Sequence, residues 1–227
     1  MKPRLKFCCA LFVACLFTAQ AQPLRLVTHH LPPYQIVDGD ALSGRTVSIM
    51  QCAMTEVGVH YEVDVRPIGR AEKELKEGKF DGLFILNQTA ERDAFAKASD
   101  PLVVTYRSLF SLQEVEFETN SAEMKAMNIG VLHGSAMHKW MAKHQYTNVQ
   151  SRYDYHILFE LLQLGRLDAV MAPFDTYYVE LEHGHITQEI AVKHLREANL
   201  SAYFNFNWLE KYPQFLPQFN TALAACR

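Results

Sequence analysis

The stretch FDGLFIL, residues 80–86, decides the fold class, because it is a short, mainly apolar run bounded by turn residues. Such a run is typical of a strand that is buried on both faces of a parallel sheet. Upstream, strands are predicted at 24–28 and 61–65, and each is followed by a helical pattern, at 47–57 and 69–78. The order strand, helix, strand, helix, strand predicts an α/β fold with a mainly parallel sheet.

A second, smaller set of the same elements follows an extended segment at 103–115. Strands are predicted at 128–132 and 167–172, with helices between them at 134–143 and 155–164. No Gly/Ser-rich or low-complexity linker separates the two sets. The pattern therefore predicts two α/β lobes that are joined by extended crossings rather than by a flexible tether.

Two loops of the first set are expected on one rim of its sheet. Ligands of open α/β sheets bind beyond the carboxyl ends of the strands. The loops at 29–34 and 87–92 follow two of the predicted strands, so both should lie at that end. This rim is where a binding site is predicted.

The first 21 residues have the pattern of a cleaved signal peptide. Three basic residues precede an apolar run at 7–17, and the segment ends in Ala19-Gln20-Ala21, a small-x-small cleavage site. The run is too short to span a membrane, so we expect a periplasmic, soluble mature chain. A second interpretation is a lipoprotein signal, in which Cys15 would be acylated and would tether the protein to a membrane.

The charge of the mature chain limits its partners. Without residues 1–21 the chain keeps 19 basic and 25 acidic residues, a net charge of −6. This charge argues against nucleic acid or an anionic membrane surface as a partner, but it permits a local cationic pocket for an anion.

Two cysteines remain in the mature chain, Cys52 and Cys226, because the other three lie in the predicted signal peptide. In an oxidising compartment they are a candidate disulfide, which would stabilise the fold by ~4 kcal/mol in the chain-entropy model. Two separately buried thiols are the alternative.

Several ordered pieces of the sequence together resemble the family 3 extracellular solute-binding proteins, the periplasmic receptors of polar amino-acid transport systems. The resemblance covers nearly all of the mature chain, and it rests on the order and spacing of the pieces. They are Pro32-Pro33-Tyr34, Leu42-Ser43-Gly44, Gly78-Lys79-Phe80-Asp81-Gly82, Thr89-Ala90-Glu91-Arg92, Ser99-Asp100-Pro101, Ile129-Gly130-Val131 with Gly134-Ser135, and Gly165-Arg166-Leu167-Asp168-Ala169.

The resemblance implies the two-lobed type II periplasmic binding protein fold, with lobe II inserted between two crossing strands. Lobe I would comprise residues 22–108 and 199–227, and lobe II residues 109–198. The C-terminal helix, predicted from about Pro217 onward, would return to the helix that carries Cys52, which favours the disulfide. The implied function is capture of an amino acid or other small carboxylate by hinge closure, by a monomer that serves an ABC-type permease or a sensor.

The resemblance also implies that Arg92 binds the ligand carboxylate, since a guanidinium pairs with a carboxylate through two charge-assisted hydrogen bonds. A surface arginine paired with Glu91 or Asp93 is the alternative. Thr89 lies in the same loop and offers a hydroxyl, and Asn87 offers an amide.

Five further residues are candidate ligand contacts. Tyr34, behind two prolines, would form an apolar wall of the cleft, and a tyrosine that is simply packed is the alternative. Arg70 would be a second anion contact or a solvated helix residue. Gly134 and Ser135 would supply donors from a helix start in lobe II, where a plain N-cap serine is the alternative. Asp175 is the nearest acidic residue to the position that holds a ligand ammonium in the family.

No cofactor or metal site is predicted from the sequence. The histidine pairs His29-His30 and His183-Gly184-His185 match no zinc motif, and neither a nucleophile elbow nor a phosphate loop is present. We therefore expect a binding protein rather than an enzyme. A dehydratase of prephenate-like or arogenate-like acids, and a noncatalytic sensory partner with a degenerate cleft, are the alternatives.

Overall fold

The structure is a computed structural model that describes residues 22–227. The predicted signal peptide, with Cys15 as its alternative lipidation site, lies outside the described residues. The strands are β1 Leu24–Thr28, β2 Ile36–Asp38, β3 Ala41–Ser43, β4 Tyr61–Val65, β5 Gly82–Asn87, β6 Ala96–Ser111, β7 Ile129–Leu132, β8 Val149–Arg152, β9 Ala169–Pro173 and β10 Ala191–Asn205. The helices are α1 Arg45–Val57, α2 Ile68–Lys76, α3 Ala90–Asp93, α4 Ala122–Ala126, α5 Ala136–Lys143, α6 Tyr155–Gln163, α7 Phe174–Glu182, α8 Phe206–Lys211 and α9 Phe215–Cys226.

One sheet of eight strands runs through the molecule in the order β4-β1-β5-β10-β6-β9-β7-β8. It is parallel at both ends, where β1 pairs with β4 and β5 and where β7 pairs with β8 and β9. The two long strands β6 and β10 are antiparallel to each other and to their outer neighbours. The predicted α/β class with two parallel sets is confirmed. We call the β4-β1-β5 end lobe I and the β9-β7-β8 end lobe II.

The crossing strands are longer than the predicted crossings near 107–112 and 195–202. The sequence hides this length because Pro101 lies inside β6, and proline is depleted in strands. Here Pro101 is opposite Ser201, where the register shifts on both sides, so the irregular pairing accommodates the missing donor. The exact lobe limits, 22–108, 109–198 and 199–227, stay a prediction.

The loop after β1 is fixed by the start of α1. Gly44 has a φ of 113°, and a Cβ at this position would lie 2.5 Å from the Tyr34 carbonyl oxygen. The close approach lets the Thr46 amide and hydroxyl both donate to that oxygen, at 3.1 and 2.9 Å. This contact fixes Tyr34 at the lobe interface.

The two helices that carry the cysteines pack against each other on lobe I. Cys52 of α1 and Cys226 of α9 form a disulfide, with their Cα atoms 5.8 Å apart and a sequence separation of 174. Pro217 lies in the first turn of α9, as predicted. The disulfide joins the two distant parts of the chain that build lobe I.

Some local features were not predicted from the sequence. They are the hairpin of β2 and β3, the short helix α3 within the loop predicted at 87–92, and the short helices α4 and α8, which begin at the capping side chains of Ser121 and Asn205. Among residues 22–227 no helix is long and apolar enough to cross a membrane.

Candidate functional site

The predicted rim lies where the loops after β1 and β5 of lobe I meet the start of α5 in lobe II. The cavity there, which we call the inner cavity, has a volume of about 30 Å³ and is lined by residues that include His29, Asn87, Arg92, Ser135 and Tyr155. This volume holds roughly two water molecules. Pockets for small ligands are typically about 300–1,000 Å³, so the inner cavity as it stands is too small for an amino acid.

Arg92 is buried in the inner cavity, and its guanidinium already has protein partners. It lies in the short helix α3, where the Thr89 hydroxyl accepts from the Arg92 amide at 3.3 Å. One guanidinium nitrogen donates to the Asn87 carbonyl at 2.6 Å and the other to the Glu72 carboxylate at 2.9 Å. Arg92 is thus neither exposed nor paired with its sequence neighbours. A carboxylate of the protein occupies part of the fork predicted for a ligand, and Arg92 Nε has no hydrogen-bond partner among the described residues.

Glu72 links the two lobes across the cleft. Its second carboxylate oxygen accepts from Lys139 Nζ of α5 at 2.7 Å. Burial alone would raise the pKa of Glu72, but Arg92 and Lys139 outweigh it and hold that pKa below its usual value. Glu72 is therefore ionised at neutral pH.

His29 is fully enclosed beside Arg92. Neither ring nitrogen has a hydrogen-bond partner among the described residues, and His29 is one of the residues that line the inner cavity. Burial, reinforced by the positive charge of Arg92, lowers the pKa of His29 to about 3. The imidazole is therefore neutral at physiological pH. The sequence flagged His29 only as half of a histidine pair.

Tyr34 and Asp175 contact each other rather than an open cleft. The Tyr34 hydroxyl and the Thr105 hydroxyl both donate to the same Asp175 oxygen, each at 2.5 Å. Burial and the Asp175 carboxylate both raise the pKa of Tyr34. The residues predicted as an aromatic wall and an ammonium partner therefore form a second bridge between the lobes.

The remaining candidates lie near the tight contact between α2 of lobe I and the start of α5 in lobe II. A Cβ on Gly134, whose φ is 74°, would lie 3.2 Å from the backbone of Gly69. Ser135 lines the inner cavity and caps α5 by accepting from the His138 amide at 3.1 Å. Arg70 lies on the exposed side of α2 and pairs with a glutamate of its own helix.

A larger pocket lies between the loop after β5 and the two crossing strands, β6 and β10, and we call it the hinge pocket. Its volume is about 390 Å³, and it is lined by residues that include Asn87, Thr89, Arg107, Trp140 and Arg196. Asn87 also lines the inner cavity. Two of the predicted ligand residues, Asn87 and Thr89, thus lie in a pocket large enough for a small molecule.

The hinge pocket contains two neighbouring arginines with no ionic partner. Arg107 of β6 and Arg196 of β10 are opposite each other in the strand register. Neither forms a salt bridge with any residue that the structure describes, and Arg107 Nε is buried without a hydrogen-bond partner. Burial, and then the charge of Arg196, lower the pKa of Arg107.

Like charges placed opposite each other in a sheet destabilise it, so this pair favours an anion as a third partner. The only acidic side chain among the lining residues is the exposed Glu197. The sequence placed Arg107 and Arg196 in the predicted crossing strands but did not single them out. Two basic residues in strands that pass through a cleft are the feature that could have revealed them.

The two lobes and the long strands that cross between them form the fold of the type II periplasmic binding proteins. No protein-family model matches the chain. It is similar to the arginine-binding periplasmic protein of Mannheimia haemolytica, with 24% identity over 163 residues that cover 70% of this chain and 66% of that protein. The chain thus aligns with about two thirds of the length of that relative.

Two solved structures share the fold over most of both chains. A histidine kinase sensor domain with similarity to periplasmic binding proteins has a TM-score of 0.73 and 15% identity, over 90% of each chain. The substrate-binding protein of an amino acid ABC transporter has a TM-score of 0.70 and 16% identity, over 89% of this chain and 92% of that one. The predicted resemblance to the family 3 solute-binding proteins is confirmed in fold and by the curated relative.

Proposed function

We propose that the chain is a periplasmic solute-binding protein that captures a small carboxylate-bearing ligand, an amino acid or a related compound. The observation that carries the proposal is the unpaired Arg107–Arg196 pair in the hinge pocket. A carboxylate between them would relieve their repulsion and satisfy Arg107 Nε. Asn87 and Thr89 would add an amide and a hydroxyl, and Trp140 an apolar face.

The hinge pocket suits a mechanism of closure because both lobes line it. Its residues come from the loop after β5, from both crossing strands, and from α5 of lobe II. A ligand that touches both lobes binds the closed state more tightly than the open one and shifts the population toward it. Closure would then be the signal that a partner reads.

Arg92 keeps its predicted role only in a second binding mode. A ligand carboxylate reaches its guanidinium if Glu72 moves away, and that movement also breaks the contact with Lys139. The protein then exchanges an internal carboxylate for an external one. The hinge pocket needs no such exchange, so we place the first carboxylate there.

Binding is a better account of the inner cavity than acid–base catalysis. A dehydratase needs an acid or base whose pKa lies near the working pH. His29, with a pKa of about 3, is a weak base, and Glu72 is ionised and paired. These residues do not supply the general acid that the enzyme alternative requires.

We propose transport as the destination of the ligand, because one fold relative is the binding protein of an amino acid ABC transporter. The second candidate is a sensory domain with a degenerate cleft. It is favoured by the way Glu72, Tyr34 and Asp175 fill the space between the lobes, and the histidine kinase sensor domain has the same fold.

Native mass spectrometry of the mature chain, expressed in a periplasm, tests the proposal. We expect a copurified species of small mass that carries a carboxylate. Calorimetry against polar amino acids, with arginine included, and small dicarboxylates then gives the Kd. If no ligand copurifies and no member of this panel binds, the transport proposal is excluded and the sensory domain is favoured.

A further inference from the structure

Three potential metal ligands meet in lobe II, outside both cavities. They are His156 of α6, Glu180 of α7 and His185 in the loop after α7. The ligand atoms, one from each side chain, lie within 4.8 Å of one another. The imidazoles of His156 and His185 are in contact, with ring centroids 4.0 Å apart.

The distances suit a small divalent cation. Glu180 Oε2 lies 2.7 Å from His185 Nδ1 and 3.5 Å from His156 Nδ1. Ligand atoms of a tetrahedral zinc ion are separated by roughly 3.3 Å, since zinc binds nitrogen and oxygen at about 2.0–2.2 Å. The two distances bracket that value, and all three ligand atoms lie within 4.8 Å of one another, so the site forms when side-chain rotations bring the wider pairs together.

Hydrogen bonding alone leaves this group incomplete. One oxygen of the buried Glu180 faces two ring nitrogens, and His156 Nδ1 is enclosed without a hydrogen-bond partner among residues 22–227. A proton on His185 Nδ1 makes the one short hydrogen bond to Glu180, and His156 Nδ1 is left 3.5 Å from the same oxygen. A divalent cation instead satisfies two neutral imidazoles and one carboxylate together.

The loop that carries His185 is held in place by Gln163 at the end of α6. The Gln163 side chain donates to the His185 carbonyl at 2.8 Å and accepts from the Thr187 amide at 2.7 Å. The Gln188 side chain also donates to the Gln163 carbonyl, at 3.0 Å. These contacts fix the backbone of the loop, and a metal ligand that is already held in place loses less entropy on binding.

We propose that His156, Glu180 and His185 bind Zn²⁺, with solvent at the fourth position. Two imidazoles and one carboxylate form a ligand set that suits zinc, whereas Ca²⁺ and Mg²⁺ prefer oxygen ligands only. The bound ion would join α6 to the loop after α7 and so stiffen lobe II. No metal was predicted from the sequence, because the ligands come from three separate segments and match no local motif.

The test uses the mature protein after chelator treatment, titrated with ZnCl₂ against a chromophoric competitor. We expect one Zn²⁺ per chain and a melting temperature that rises by about 5 °C or more at a hundredfold excess over the Kd. His185→Gln and Glu180→Gln should each weaken binding at least tenfold. His60→Gln, an exposed histidine in lobe I, should bind zinc like the wild type.

Gln163→Ala separates a built site from chance capture by surface histidines. It removes no ligand, so a preorganised site should lose roughly tenfold in affinity. The melting temperature of each variant without zinc shows whether it folds. Substoichiometric binding by the wild type, or equal affinities in the wild type, His185→Gln and Glu180→Gln, would overturn the proposal. Neither result depends on whether the cleft binds a ligand.

Discussion

The inner cavity and the hinge pocket share Asn87 and each contain a buried or half-buried arginine, but only one of these arginines has an ionic partner in the protein. Arg92 pairs with Glu72 in a cavity of about 30 Å³, whereas Arg107 faces Arg196 in a pocket of about 390 Å³. A buried charge that is paired contributes to the closed structure, and an unpaired one is available for a ligand. We therefore propose that Arg92 contributes to structure and Arg107 to recognition.

The largest expected contrast is in stability. Arg92→Ala leaves Glu72 buried without its main partner and should lower the free energy of unfolding by about 3–5 kcal/mol. Arg107→Ala removes half of a repulsive pair, so the free energy of unfolding should stay within about 1 kcal/mol of the wild type. Urea denaturation measures both. Equal losses in the two variants would remove the distinction between the cavities.

The pH dependence of stability sharpens the description of the inner cavity. The folded pKa of His29, about 3, lies below the ordinary value of 6.5 in the unfolded chain. The unfolded state therefore binds a proton first, and stability should fall by about 1.4 kcal/mol per pH unit as the pH drops from 6.5 toward 3.

The control for this prediction is the slope of a variant without the imidazole. Between pH 6 and pH 4.5, the loss of stability per pH unit should be smaller in His29→Gln than in the wild type, by about 1.4 kcal/mol. His60→Gln, whose ring is exposed, should follow the wild type. Identical slopes for the wild type and His29→Gln would mean that His29 titrates normally in the folded protein.

The smallest effect concerns the bridge between the lobes. Lys139 is 41% exposed in its side chain, so its pair with Glu72 is screened by solvent. Lys139→Ala should cost less than about 1 kcal/mol in urea denaturation. A loss above roughly 2 kcal/mol would show that this bridge, rather than the Arg92 pair, stabilises the closed arrangement.

The fold was largely predictable because its elements follow local patterns. The apolar run at 80–86, the helix from about Pro217 onward and the two cysteines each indicated the structure that is observed. Strand length was underestimated where Pro101 lies inside β6, since its irregular pairing with Ser201 depends on a partner a hundred residues away.

The site was less predictable because its contacts are set by tertiary packing. Glu72 reaches Arg92 only when α2 packs beside β5, and the register of β6 and β10 alone brings Arg107 opposite Arg196. A residue type and a motif indicate what a side chain is able to bind. They do not indicate whether the protein already supplies the partner, as Glu72 does for Arg92.

The measurement that tests the central claim most directly is calorimetry of the identified ligand with the wild type and Arg107→Gln. Arg70→Gln, an exposed arginine on α2, is the matched control. If the ligand carboxylate lies between Arg107 and Arg196, Arg107→Gln should weaken binding at least tenfold, because a bidentate charged contact is lost. Arg70→Gln should leave the Kd unchanged. An unchanged Kd in Arg107→Gln would contradict the assignment of the hinge pocket as the carboxylate site.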